Sequence, residues 1–283
     1  MITSAVFQGL SWNPANDIRQ LFEFHFMVNA LVSGTAVAVM AGTVGWFMVL
    51  RRQTFAGHTL AVIAFPGAAG AALAGIPLAF GYFGACAAGA LALAGVSSDR
   101  GRESATTGTV QAFGLGLGFL FVALYHGVLT DVQSLLFGTF LGISDDQVHT
   151  LLAVTVVALL ALVIAGRPLL YASVDRETAR AAGVPVQLLS LGFLLVLGLT
   201  VAATSQITGA LLVFALLVAP AAAAQQLTAR PLPALAISVS IGLLVTWVGL
   251  GLAYFSIYPA GFYITSLAFG AFVAARVVAW RRR

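Results

Sequence analysis

His58 stands at the start of a long apolar run, HTLAVIAFPGAAG, with Val62 and Pro66 following at four-residue steps. On a helix these three share a face. An ionisable side chain inside a membrane-length apolar segment is costly and marks a functional site by default. Neutral imidazole binds zinc, iron and manganese well enough to hold and release them. The competing reading is a histidine that reaches the lipid headgroups or bonds a backbone carbonyl. Pro66 lacks an N–H, so the Val62 carbonyl loses its helical partner. A helix starting near Gln53 puts His58 roughly 8 Å in from the membrane surface, at about 1.5 Å per residue.

A second constellation is polar. Asp175-Arg176-Glu177-Thr178-Ala179-Arg180-Ala181-Ala182-Gly183 predicts a short amphipathic helix, with Gly183 near its end and Pro185 beyond. Ala179, Ala182 and Gly183 form a small face that lets a partner surface approach, while Glu177 and the arginines set register. A solvated loop is the alternative. A third feature is the alanine-rich span around Pro220, which frees the Leu216 carbonyl and predicts a kinked, closely packed pathway wall. His126, Asp131, Asp145, Asp146 and His149 gather at one mouth, as a wetted loop or an entrance. Glu23 and His25 are two apart and do not share a helical face. Asn29, Gln111, Thr204, Ser205, Gln206, Gln225, Gln226 and Thr246 lie within spans and are expected to bond between helices.

The elements that must position these groups follow from composition. Of 283 residues, 60% are hydrophobic and 8% charged, and mean hydropathy is +1.02. A soluble domain carries about 25% charged residues. Such a surface faces lipid and crosses it as helices, because the apolar runs reach about 20 residues. The fold class is therefore all-α and polytopic. Spans are expected near 26–50, 58–76, 78–96, 108–126, 148–165, 188–204, 208–227, 232–255 and 262–280, about nine, or eight if one fails to cross. Residues 1–25 read as an interfacial segment, 129–147 as a re-entrant or interfacial piece, and 166–187 as a cytoplasmic segment. All belong to one transmembrane domain over 1–283.

Arginines 51/52, 100/102, 167/176/180, 230 and 281–283 all follow odd-numbered spans. Positive charge marks the cytoplasmic side, which sets the N-terminus outside and the C-terminus inside. The arginines are a topology signal and not a nucleic-acid patch. The single cysteine, Cys86, excludes a disulfide framework. No signal peptide is expected, since no short apolar run with a small-residue cleavage site opens the chain. There is no lysine, which excludes a P-loop and Schiff-base chemistry. Transport driven by ATP would need another chain to hydrolyse it. A self-contained ion-coupled carrier would need buried carboxylates, and no expected span interior holds one.

Taken together, the motifs resemble the permease subunits of bacterial metal-ion ABC importers of the zinc/manganese/iron type. Asp175, Ala179 and Gly183 match that family's Asp-x-x-x-Ala-x-x-x-Gly element. Gly209-x-Leu211-Leu212-x-x-Ala215-Leu216-Leu217-x-x-Pro220-Ala221-Ala222-x-Ala224 matches its most recognisable span. Leu136-Phe137-Gly138, Leu141 to Ser144, and Leu50-Arg51-Arg52 with Gly57 and Pro66-Gly67 match in order. The family pattern Gly-Asp-x-x-x-His-x-x-x-Pro-Gly appears as Gly57-His58-x-x-x-Val62-x-x-x-Pro66-Gly67. The acidic ligand position is His58, and the histidine position is Val62. Likewise Glu-Asp-x-x-x-Gly appears as Glu103-Ser104-x-x-x-Gly108.

The resemblance implies a permease fold similar to the cobalamin-importer type, working as a homodimer in the bacterial cytoplasmic membrane. It implies a coupling helix (Asp175, Glu177, Ala179, Ala182, Gly183) seated in a separate ATP-binding subunit, and delivery by an external solute-binding protein or lipoprotein. The cargo is a divalent metal (zinc, manganese or iron) carried as substrate, with no cofactor, and the chain itself is not an enzyme. The alternative within this architecture is a metal chelate, such as a siderophore or corrinoid.

Overall fold

The computed structural model describes residues 14–95, 100–125, 138 and 142–282. The expectations for His126, Asp131 and most of 129–141 lie outside these residues. All regular structure among them is helical: α1 (Pro14–Glu23), α2 (His25–Leu50), α3 (Thr54–Ala74), α4 (Leu78–Gly95), α5 (Arg100–Leu124), α6 (Asp145–Val174), α7 (Arg176–Ala181), α8 (Val186–Leu227), α9 (Pro231–Tyr254) and α10 (Ala260–Arg281). Eight segments are long and apolar enough to cross a membrane.

The span expected at 208–227 is the shorter apolar helix Leu212–Leu227, the second half of α8. α8 is broken at Gly209, where φ 74 and ψ 159 lie in a region open to glycine and closed to side chains. The sequence had suggested a boundary between Thr204 and Thr208. Its first half starts beside Arg51, whose guanidinium bonds Ser190. Its second half returns to the same end, where Gln225 Nε2 donates to the Trp46 carbonyl at 3.2 Å. Eight segments among the described residues therefore have the length to cross, and Leu212–Leu227 is a shorter apolar helix beside them. Gly138, also at positive φ, rests directly on this break: a Cβ there would lie 2.3 Å from the Thr208 carbonyl carbon.

α2 is the axis of the bundle. Of its most apolar stretch 72% is buried, against 11% for α5, so α2 is walled by protein while α5 is left open on the outside of the bundle. Composition explains the difference. α2 carries Ala36, Ala38, Ala41, Gly42 and Gly45, which let backbones close in. At Gly45 a Cβ would sit 2.0 Å from the Leu217 carbonyl oxygen. Only glycine permits that approach. Ser238 Oγ donates to the Gly42 carbonyl at 2.8 Å, binding α9 to α2 with a buried bond.

α3 and α4 pack side by side, and Cys86 of α4, fully buried, donates to the Leu60 carbonyl. α6 begins with a capping box: Ser144 Oγ accepts from the Gln147 N–H, and Gln147 Oε1 accepts from the Ser144 N–H. It then runs through Pro168 to Val174, nine residues beyond the expected end at Ala165. Apolar packing by Leu169 and Ala172, both buried, carries the helix past the proline. The polar segment 166–187 is consequently mostly helical, and the chain turns within it at 182–185, after the short α7.

Candidate functional site

His58 lies on the second turn of α3. Gly57 before it abuts the Met48 sulfur, which would be 2.3 Å from an added Cβ, so α3 starts hard against the end of α2. The imidazole meets the ring of Phe214 from α8 edge-on, with centroids 4.8 Å apart and planes at 62°. Its Nδ1 is buried with no hydrogen-bond partner among the described residues. A buried, unbonded nitrogen costs free energy. That observation disfavours the reading of His58 as a histidine satisfied at Nδ1 by a backbone carbonyl. Beside it, the Thr59 hydroxyl bonds the Phe55 carbonyl at 2.9 Å, with Gln111 Oε1 3.4 Å away.

Val62 is half-buried and Pro66 buried within a continuous α3. Pro220 is likewise buried inside a helical stretch of α8, so the full break in that element belongs to Gly209. No group of three or more His, Cys, Asp or Glu side chains comes together among the described residues. Phe214 escapes a reading of the sequence because an aromatic residue in an apolar span carries no distinguishing signal.

The polar segment forms at the end of the bundle that also holds Arg51. Asp175 caps α7: its Oδ1 accepts from the N–H groups of Glu177 at 3.1 Å and Thr178 at 3.0 Å, and the Thr178 hydroxyl donates to Oδ2. The Thr178 hydroxyl bond foremost, then its backbone N–H, holds the Asp175 carboxyl below the usual carboxylate range. Gly183 closes the helix at φ 80. Ala179 is fully buried in a small cluster with Ala172 and Val186. It anchors α7 to its own chain, and Glu177, Ala182 and Gly183 remain exposed.

Arg51 adds a feature that arginine content alone did not reveal. Its guanidinium donates to Gln53 Oε1 (3.1 Å), Ser173 Oγ (3.2 Å) and Ser190 Oγ (2.7 Å) and lies over the Phe193 ring at 5.2 Å. Burial first, and the charge of Arg176 second, push its pKa down to about 10, so it stays cationic at neutral pH. At the opposite end Asp145 Oδ1 accepts from Asn29 Nδ2 at 2.7 Å and pairs with His25 Nε2 at 2.9 Å. Asn29 Nδ2 also donates to the Ile143 carbonyl at 3.3 Å. Thus Asn29 bonds between helices as expected. The hydroxyls of Thr204, Ser205 and Thr246 are instead buried without partners among the described residues.

With this geometry in view, similarity to known proteins is informative. The ABC 3 transport family profile matches residues 23–279. The chain is 33% identical over 246 residues to the chelated iron transport system membrane protein YfeC of Yersinia pestis, covering 86% of this chain and 82% of that one. It is 29% identical over 242 residues to the manganese transport system membrane protein MntC of Halalkalibacterium halodurans, covering 84% and 81%. Among solved structures, PsaBC from Streptococcus pneumoniae in complex with Fab aligns at a TM-score of 0.82 and 27% identity, over 92% of this chain and 94% of that one. A multi-pass helical membrane protein that matches along nearly its whole length, this chain belongs to the ABC 3 transport family.

Proposed function

We propose that the protein is the membrane-spanning permease subunit of a bacterial importer that moves a divalent metal ion, manganese, iron or zinc, into the cell. ATP hydrolysis belongs to a separate subunit, in keeping with a chain that has no lysine for a P-loop. The carrying observation is His58: an imidazole on a membrane helix, its Nδ1 buried and unbonded, facing the broken helix α8 through Phe214. A neutral imidazole is a ligand from which zinc, iron or manganese can also depart. The metal is cargo and not a resident cofactor.

In this reading two copies pair in the cytoplasmic membrane, and each contributes His58 to a shared path lined by the helices that carry Pro66 and Pro220. One imidazole offers one ligand, and Val62 offers none, so a second copy supplies what one chain lacks. The arginine-rich end is cytoplasmic. There α7, with Asp175 as its cap, Ala179 as its anchor and Glu177, Ala182 and Gly183 exposed, docks on the ATP-binding subunit. An external solute-binding protein or lipoprotein delivers the ion to the opposite face. The manganese and iron systems named for the relatives support this class of cargo.

Uptake of radioactive manganese, iron or zinc by cells expressing the complete transporter tests the reading. The His58→Ala variant should lose at least tenfold in rate for the transported ion, at equal membrane abundance. Unchanged uptake and selectivity would sink the role of His58. Uptake of an iron chelate in preference to the free ions would replace the bare metal by a chelate.

A further inference from the structure

We propose that Arg51 is a positioning residue, a strut that transmits movement of the docked α7 region to the α2–α3 corner and so to His58. The inference rests on the reading of α7 as the docking element.

One guanidinium here bonds three separate parts of the chain. Gln53 Oε1 belongs to the corner between α2 and α3. Ser173 Oγ is two residues before the α7 cap, and Ser190 Oγ lies on the first turns of α8, just after the α7 region. α7 is therefore held on both sides by segments that the same guanidinium grips. The serine hydroxyl of Ser173 gives its proton to the Leu169 carbonyl, which leaves its lone pairs for Arg51. A lysine ammonium also has three N–H donors but presents them from one compact point, without the planar spread of the guanidinium.

The corner itself is short. Leu50 ends α2, Thr54 starts α3, and Arg52 between them has φ 58, a left-handed conformation that a side chain rarely adopts. Strained backbone of this kind persists where surroundings fix it. A tight corner moves the start of α3 with the end of α2, and His58 is on the second turn of α3. Force on α7 thus has a polar route to the imidazole.

Among the described residues no carboxylate pairs with Arg51 within 4.0 Å, and the cation is held by neutral oxygens and the Phe193 ring. The guanidinium of Arg176, the first residue of α7, repels it.

The test uses the full chain assembled with its ATP-binding subunits and solute-binding protein in proteoliposomes, reading ions moved per ATP hydrolysed. Arg51→Ala should lower this ratio at least fivefold while ATP hydrolysis stays within twofold. Ser190→Ala should lower it twofold to threefold, and Arg51→Ala/Ser190→Ala should be no worse than Arg51→Ala, since both remove one connection. Arg51→Lys should fall between. If Arg51→Ala fails to assemble, Ser190→Ala and Arg51→Lys decide. A merely structural residue would lower transport and hydrolysis together and leave the ratio unchanged, which would overturn the strut. A cross-link from Ala182→Cys to the ATP-binding subunit checks the docking reading. With that link formed and the ratio unchanged, only the strut falls; with no link in otherwise native protein, the docking reading falls and takes the strut with it.

Discussion

α2 and α6 are pinned together at both ends, and the two pins are built from opposite chemistry. At one end an exposed carboxylate, Asp145, meets His25 and Asn29. At the other a half-buried guanidinium, Arg51, meets two hydroxyls, an amide and an aromatic ring. An exposed pair is weakened by water and salt and is easily exchanged. A desolvated cation bonded to neutral oxygens is retained by the shape of its pocket, and losing one acceptor is costly. The first pin can open and close with its surroundings. The second fixes geometry and passes on displacement.

The largest effect should come from moving α2 itself, which would break both pins at once. Gly45→Val places carbon atoms where the Leu217 carbonyl oxygen already sits. Overpacking against backbone costs about 3 kcal/mol, and thermal unfolding in detergent should show a lower, broader transition. If Gly45→Val melts like the native protein, α2 and α8 are not in the close register described.

Next in size is the contrast between the pins. Arg51→Ala removes three charge-assisted bonds, to Gln53, Ser173 and Ser190, for about 2 kcal/mol. Asn29→Ala removes bonds to Asp145 and the Ile143 carbonyl, for about 1 kcal/mol. Raising salt should narrow the gap between native and Asn29→Ala protein and leave Arg51→Ala unaffected. Equal salt sensitivity at both ends would erase the distinction.

The smallest effect concerns pH at the α7 cap. The ionised Asp175 carboxylate accepts three bonds, and its folded-state pKa is lowered. A lowered pKa contributes stability in full above the unfolded value, near 4, and loses it as pH falls through the folded value. Hydrogen exchange of residues 176–181 should therefore be the same at pH 7 and pH 5, allowing for the intrinsic rate, and quicken only below about 4. Asp175→Ala should exchange faster throughout and show no such step. A step between pH 7 and 5 in native protein would contradict the capping arrangement.

Much of this architecture was legible in the residues. Apolar runs placed the crossing segments within a few positions, apart from the far end of α6, nine residues beyond Ala165, and Asp175 with Gly183 marked both ends of α7, because caps are local chemistry. The arginine clusters gave the common end shared by α2, α6 and α8, where Arg51 is bonded to Ser173 and Ser190. What escaped was anything set by distant partners. Arg51 reads in sequence as one more anchor at a span end, since Ser173 and Ser190 lie more than a hundred residues away. Pro220 drew attention as the breaker of its span, yet the chain turns at Gly209, where a glycine accepts a backbone angle and the segment at Gly138 presses against it. Ala179 looked like part of an open small face. Its burial depends on Ala172 and Val186, which only the folded chain brings near.

Cys86 carries a practical consequence. It is the chain's one thiol, and it is sealed between α3 and α4 with its hydrogen given to the Leu60 carbonyl. Maleimides and spin labels cannot reach it while the fold holds. The native protein is already a blank template for site-directed labelling, so a reporter thiol placed at position 182, or at either pin, will speak without background.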